Sequence, residues 1–453
     1  MSKLRLAIVG AGPAGIYAAD LLIKSELRDF DVSIDLFDLL PAPYGLVRYG
    51  VAPDHPRIKG IVNSLHEMLN SGKIRFFGNV NFGTDLHLAD IRKHYHAVIF
   101  ATGAIKDAQL NIPGIDLDGS YGAADFVSWF DGHPDVPRTW PLEAEQVAVL
   151  GNGNVALDVA RMLAKHADDL LVTDIPENVY QGFKQSPITD VHIFGRRGPA
   201  SIKFTPIELR ELGELNDVDI VLYDEDFPEG WFDEDAEGVT NQHKVMARVM
   251  DSWLEEKPSG ASRRLHMHFW HKPVAILGED GKVAGMKFER TQDAGAGSIS
   301  DTGVFMNYPL QAVYRAIGYF GSEIPGVPFD DKYGVIKNDG GRVVDEQGKR
   351  VDGLYATGWI KRGPVGLIGH TKSDALETIE NLVADIDNLV DPAEPSTDAV
   401  LATFAERGVE ITTWEGWLKL NAHEIALGEA FEGVERERVK VVARDEQVAI
   451  SNE

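Results

Sequence analysis

Two short glycine runs in this 453-residue chain carry its clearest chemistry. Gly10-Ala11-Gly12-Pro13-Ala14-Gly15 follows the apolar run Leu4 to Val9 and leads into the helical pattern Ile16 to Ile23. In such a turn the first glycine permits the sharp bend, the second lets the backbone approach a pyrophosphate, and the third lets helix and strand pack closely. The helix start then presents unsatisfied N–H groups to the phosphates. Gly151-Asn152-Gly153-Asn154 repeats the design between the run Gln146 to Leu150 and the helical stretch Val155 to Leu163, with Ala156 in the third-glycine place.

What ends the next strand separates the two sites. Val32 to Phe37 reads as a strand followed by Asp38, whose carboxylate can accept from a ribose 2′-hydroxyl and disfavours a 2′-phosphate. Val191 to Phe194 ends instead in Gly195-Arg196-Arg197-Gly198, and paired guanidiniums suit a 2′-phosphate dianion. Two sites with different ribose chemistry imply two dinucleotides. The natural pairing is FAD in the first and NADPH in the second, since a flavin can accept a hydride and then release electrons singly. A third Gly-rich segment, Gly358 to Gly369, follows the short strand at Leu354-Tyr355-Ala356.

The elements that hold these motifs follow from composition and patterning. The length suggests two or three domains at roughly 150 residues each, and 44% hydrophobic residues are enough for substantial cores. With no cysteine, the chain cannot build a disulfide framework, a dithiol pair, a thiolate nucleophile or an iron–sulfur cluster from its own residues. A net charge of −27 argues against a nucleic-acid partner. Lys3 and Arg5 before an uncharged stretch resemble a signal peptide, but the glycine turn within that stretch argues otherwise. No segment approaches the ~18 apolar residues of a membrane span, so a soluble chain is the default; the lack of cysteine fits a cytoplasmic location, and a monomer is expected. Asp168 to Pro187 reads as an insertion, the acidic stretch Asp224 to Glu237 as a solvated loop, and Gln292 to Thr302 as a hairpin loop. An amphipathic helix is expected from Ser373 to Leu389, and the tail beyond Pro392 still has Trp414 and Trp417 to bury.

Longer runs carry a more specific resemblance. Tyr44-Gly45-Leu46-Val47-Arg48-Tyr49-Gly50-Val51-Ala52-Pro53-Asp54-His55-Pro56, Gly151 to Arg161, Arg196-Arg197-Gly198-Pro199 and Gly358-Trp359-Ile360-Lys361-Arg362-Gly363-Pro364 resemble the adrenodoxin reductase-type ferredoxin–NADP reductases over nearly the whole chain. The resemblance implies an α/β protein of two nested Rossmann-like domains related in architecture to glutathione reductase. FAD-binding parts are placed at residues 1–103 and 319–453, around an NADP-binding domain at 104–318. By the same resemblance FAD is held by Gly10, Gly12, Ala14, Gly15, Asp38, Leu46, the main chain of Phe82, Trp359 and the backbone of Gly366, Leu367 and Ile368. NADP is held by Asn152, Gly153, Asn154, Val155, Arg196, Arg197 and Glu208, with Gly366 near the nicotinamide.

His55 and Glu211 match residues that line the flavin–nicotinamide cleft in that family, where a histidine beside a carboxylate could relay or buffer protons. Asp158 stands near the nicotinamide or is a helix-surface acid, and Glu208 binds a ribose hydroxyl, orients an arginine or is likewise a surface acid. Trp359 could cover the isoalloxazine with its flat face, or pack in the core. The implied reaction is hydride transfer from NADPH to flavin N5, then single-electron transfers to an iron–sulfur ferredoxin, with Lys203, Lys244, Arg248, Arg263, Arg264, Lys361 and Arg362 as the basic residues available for docking. The alternatives are an NADPH diaphorase, a flavin subunit serving another acceptor, or a nucleotide-binding redox sensor that turns nothing over.

Overall fold

Along the strand Ser2–Val9, Leu4, Leu6 and Ile8 point to one face and Ala7 and Val9 to the other, and all are buried. A strand buried on both faces belongs in the middle of a parallel sheet covered by two layers. The computed structural model, which describes residues 2–25, 30–295, 297–365 and 368–453, shows that arrangement. The strand pairs in parallel with Phe30–Phe37 on one side and Ala97–Phe100 on the other, within an eight-stranded sheet. The helices Pro13–Lys24 and Ile368–Ala384 pack on the face of Leu4, Leu6 and Ile8. Phe37, Phe77, Phe100 and Phe404 fill the opposite face with Ala7 and Val9.

The chain divides into two units. One comprises Met1–Lys106, Asp131–Asp135 and Tyr319–Glu453; the other comprises Asp107–Phe130 and Val136–Gly318. The second unit is therefore nested in the first along the sequence. Its six-stranded sheet runs in the order Ser120–Gly122, Ala312–Arg315, Gln146–Leu150, Asp190–Phe194, Arg263–His268, Val218–Val221, with parallel pairing throughout. A three-stranded antiparallel sheet, His271–Glu279, Lys282–Gly295 and Ser298–Tyr308, completes it.

Some local expectations need correction. The stretch Gln292 to Thr302 is mostly strand: the hairpin arms run to Gly295 and from Ser298, because Gln292 and Asp293 pair with Ser300 and Ile299 across them. Asp226 is fully buried within the acidic stretch, accepting from Phe269 N–H at 2.8 Å and pairing with Arg290 at 2.7 Å. The stretch Asp168 to Pro187, read as an insertion, contains the helix Glu177–Gln185, which buries Val179, Tyr180 and Phe183. The late amphipathic helix starts at Ile368 and stops at Ala384.

The C-terminal tail is a structural part of the first unit. Trp417 meets Tyr44 edge-on at 5.6 Å. Glu424, fully buried, takes both arms of Arg48 at 3.0 and 2.5 Å. Lys440 donates to the main-chain oxygens of Arg48 at 2.9 Å and Asp131 at 3.0 Å. This anchors the segment that begins at Gly45 from behind. Removing one partner of a buried pair strands the other charge. Glu424→Ala is expected to lower unfolding stability by about 3–5 kcal/mol in urea titrations, while Arg48→Met combined with Glu424→Leu should recover most of that loss.

Candidate dinucleotide sites

The first turn is shaped by what its glycines touch. Gly10 adopts φ +113°, and a Cβ there would stand 2.3 Å from Ala101 O; one at Gly15 would stand 2.0 Å from Gly10 O. Gly10 N–H donates to Phe37 O at 2.7 Å, which ties the bend to the neighbouring strand. At Gly12 the nearest atom to a Cβ is 3.8 Å away, so nothing in the protein requires glycine there. Gly12 is the N-cap of Pro13–Lys24 and has no side-chain cap, which leaves helix-start amides for a ligand. That is open space of the kind a pyrophosphate needs.

Other residues expected at this site gather around the turn. A Cβ at Gly358 (φ +74°) would meet the Cβ of Ala14 at 2.6 Å, so the third Gly-rich segment lies against the first turn. Asp374 fixes that segment, accepting from Gly358 N–H at 2.6 Å and Thr357 Oγ at 3.1 Å. Trp359 then opens a one-turn helix, Trp359–Arg362, half-buried. Leu46 opens another, Leu46–Tyr49, after Gly45, whose φ is +52° and whose Cβ position lies 3.0 Å from the Cα of Gly12. Phe82 is half-buried and edge-on to Phe100 at 5.3 Å. His55 is buried as the N-cap of Pro56–Lys59. Gly366 and Leu367 lie outside the described residues, and Ile368 opens the long helix.

Asp38 stands where the sequence places a ribose reader. Its Oδ2 accepts from Ala11 N–H at 2.6 Å and its Oδ1 from Leu40 N–H at 2.8 Å. Burial pushes its carboxyl up to about 6, outweighing these two hydrogen bonds and the more distant charge of Arg444.

The second turn repeats this geometry with different side chains. Gly151 N–H donates to Phe194 O at 3.1 Å, and a Cβ on Gly151 (φ +147°) would lie 2.2 Å from Ala316 O. Gly153 has nothing within 4 Å of its Cβ position and caps the helix Asn154–Ala164 without a side chain. Asn154 Oδ1 accepts from Thr205 N–H at 3.1 Å, and Val155 follows it half-buried in the first turn of the helix. The loop Gly195–Gly198 is wedged in place: a Cβ at Gly195 would strike Asn152 at 2.7 Å, and one at Gly198 would strike the Trp270 ring at 2.0 Å. Thr291 Oγ donates to Arg196 O at 2.7 Å and Trp270 N–H to Arg197 O at 3.2 Å.

The backbone of that loop is held, but its cations are not. Among the described residues neither Arg196 nor Arg197 makes an ion pair, and Arg197 Nε and Asn152 Nδ2 are buried donors without an acceptor.

The acids nearby are organised by a residue that the sequence reading passed over. Arg161, only 2% exposed, lies 2.8 Å from Asp158 Oδ1 and 3.5 Å from Glu208 Oε2. Glu208 is buried and is no surface acid, and its carboxylate faces Arg161. The i,i+3 spacing of Asp158 and Arg161 on a helix was the available signal. Thr205 caps the helix Pro206–Gly213, which carries Glu208 and the half-buried Glu211.

The basic residues considered for docking are mostly engaged. Lys361 is buried against Asp374 and Glu377 at 3.1 and 2.6 Å, and Arg362 lies 3.6 Å from Asp374. Arg264 pairs with Asp190, and Arg263 donates to the carbonyls of Ala164 and Lys165. Lys244 and Arg248 approach Glu234 only at 3.9 and 3.7 Å, and Lys203 is exposed. No helix among the described residues is long and apolar enough to cross a membrane.

A family model described as pyridine nucleotide-disulphide oxidoreductase matches residues 4–191. The NADPH-ferredoxin reductase FprA of Mycobacterium tuberculosis is 38% identical over 462 residues, covering 99% of both chains. The mitochondrial NADPH:adrenodoxin oxidoreductase of Homo sapiens is 36% identical, covering 98% of this chain and 91% of that one. The solved structure of Mycobacterium tuberculosis FprA in complex with NADPH matches with a TM-score of 0.90 at 38% identity over 100% of each chain. With two glycine turns of one design and similarity that runs the length of the chain, the protein belongs to the adrenodoxin reductase-type family of NADPH–ferredoxin reductases.

Proposed function

We propose that this chain holds FAD at the turn Gly10–Gly15 and NADP(H) at the turn Gly151–Asn154, and that it moves reducing equivalents between NADPH and an iron–sulfur ferredoxin in the cytoplasm. One observation carries the reading: at the ends of corresponding strands one turn has a buried carboxylate, Asp38, and the other has two guanidiniums without an ion-pair partner. A carboxylate selects an unphosphorylated ribose; two free guanidiniums select a 2′-phosphate.

The residues fit both groups. Gly12 and Gly153 leave the close backbone approach that each pyrophosphate needs, and Arg197 Nε and Asn152 Nδ2 are donors awaiting an acceptor. Ala14, Gly15, Leu46, Phe82 and Trp359 complete the FAD side with residues 366–368; Asn154, Val155 and Glu208 complete the NADP side. Bound FAD would supply the hydride acceptor and the one-electron release that no side chain of this chain offers. The protein positions: Asp374 sets the start of the Trp359 helix, whose indole can cover a flat ring. Arg161 holds Asp158 and Glu208 in place. His55 and Glu211 are the groups proposed to hold or relay protons beside the reacting rings.

The ferredoxin must be met by a local basic surface, since −27 of net charge repels an acidic partner at long range. Screening over about 8 Å at physiological salt makes a local patch sufficient at contact. Of the basic residues considered for docking, Lys203, Lys244 and Arg248 in the second unit remain for that contact.

An anaerobic titration tests the assignment. Flavin absorbance should bleach with NADPH in preference to NADH and return when oxidised ferredoxin is added. Arg196→Ala with Arg197→Ala should raise the KM for NADPH about 100-fold or more, from two charge-assisted hydrogen bonds of about 1.5–3 kcal/mol each, and leave that for NADH nearly unchanged. Equal effects on both nucleotides would sink the 2′-phosphate assignment, and a reduced flavin that ferredoxin cannot reoxidise would point to a different acceptor.

Asp38 makes the FAD side pH-dependent. Because its pKa is raised from 3.8 to about 6 in the folded chain, its own contribution to apoprotein stability is present below 3.8 and is lost as pH rises through about 6. Ribose hydroxyls favour the ionised form, so FAD affinity should move the opposite way and weaken as pH falls below about 6. Fluorescence titration of apoprotein with FAD across this range measures the effect, and Asp38→Asn should bind weakly with a flat profile.

A further inference from the structure

Away from both glycine turns, one face of the six-stranded sheet carries an array of histidines. Asp190 and His192 stand two apart on one strand and share a face. The neighbouring strand sets Arg264 opposite Asp190, His266 opposite His192 and His268 opposite Phe194. A carboxylate oxygen of Asp190 and one ring nitrogen each from His192 and His266 lie within 4.8 Å of one another. The three residues are 4%, 8% and 8% exposed, so all are at least nine-tenths buried.

The hydrogen bonds around the cluster leave one position unfilled. His266 is used at both nitrogens, with Tyr223 Oη 2.8 Å from Nδ1 and Asp190 Oδ1 2.8 Å from Nε2. His192 Nδ1 lies 3.0 Å from His268 Nε2, but His192 Nε2 is buried with no hydrogen-bond partner. A buried imidazole nitrogen without a partner is costly, and an ion able to accept its lone pair removes the cost.

We propose that Asp190, His192 and His266 form a site for one divalent transition-metal ion, zinc by preference. Two imidazole nitrogens and one carboxylate oxygen, with a position left for water, are a donor set suited to zinc and its imidazole-seeking neighbours and poorly suited to magnesium or calcium. The second layer is in place on the imidazoles, Tyr223 on His266 and His268 on His192, while Arg264 takes both oxygens of Asp190 at 2.6 and 2.8 Å. The two rings stack in parallel at 4.2 Å, so they rotate towards each other when the ion enters. Arg264 competes for the carboxylate and holds the affinity down. The strand Asp190–Phe194 runs directly into Gly195-Arg196-Arg197, so an ion here pins the base of the loop proposed to read the 2′-phosphate.

The test is calorimetric titration of untagged holoprotein with zinc chloride. One ion should bind per chain, with an accompanying rise in the melting temperature. His192→Ala and His266→Gln should each weaken binding about tenfold or more, and Arg264→Gln should tighten it, with flavin absorbance and circular dichroism confirming that each variant is folded. Absence of saturable binding below millimolar zinc would overturn the site. So would binding unaffected by both histidine variants, which places the ion on exposed histidines, or binding weakened in Arg264→Gln.

Discussion

At each of the two turns a carbonyl oxygen just past the end of the neighbouring parallel strand leaves room for a hydrogen and no more. Ala101 O occupies the space beside Gly10, and Ala316 O the space beside Gly151. Each oxygen is placed by the sheet itself, since Ala101 N–H donates to Val9 O at 2.7 Å and Ala316 N–H to Leu150 O at 2.8 Å. A side chain at either glycine would collide with that oxygen. The chain turns there through positive φ, open to glycine at little cost, and enters the helix with its first amides facing outward. The features proposed for the dinucleotides follow from that forced bend: the open space at Gly12 and Gly153, the helix-start amides, and the nearness of the next strand's end.

One scaffold then serves opposite charges because the strand end is a free choice. Asp38 is locked by two main-chain amides, so its position is tied to the turn it serves. The arginine loop is held the other way round. Its carbonyls are held by Thr291 and Trp270 while the side chains stay unpaired, which keeps the guanidiniums available in a protein whose acids far outnumber its bases. An arginine pair in such a chain would ordinarily be neutralised by a neighbour.

Buried polar groups position rather than stabilise. Arg161 between Asp158 and Glu208, and Arg48 against Glu424, each remove charges from water at a cost that Coulomb attraction offsets only in good geometry. What they provide is a fixed arrangement: two acids set beside the second turn, and the Leu46 segment held against the first unit's C-terminal tail. The histidines of the six-stranded sheet belong to the same class, with one ring nitrogen left over.

The sequence by itself determined the two turns, their strands and helices, and the acid or arginine pair that follows the neighbouring strand of each. These depend on neighbours in the chain: glycine spacing, apolar alternation and the residue that ends a strand. It also made Trp414 and Trp417 part of a core, since aromatic area of that size does not stay in water. Tertiary structure alone decided which charges are free. Lys361 and Arg264 look like surface cations in the sequence and are spoken for by Asp374, Glu377 and Asp190, while Arg196 and Arg197 look equally pairable and make no ion pair among the described residues. Asp226 reads as one more acid in a solvated run and is buried against Arg290, 64 residues away. The physical reason is range: backbone bends and burial patterns are written locally, whereas the partner of a charge is set by where distant strands bring it.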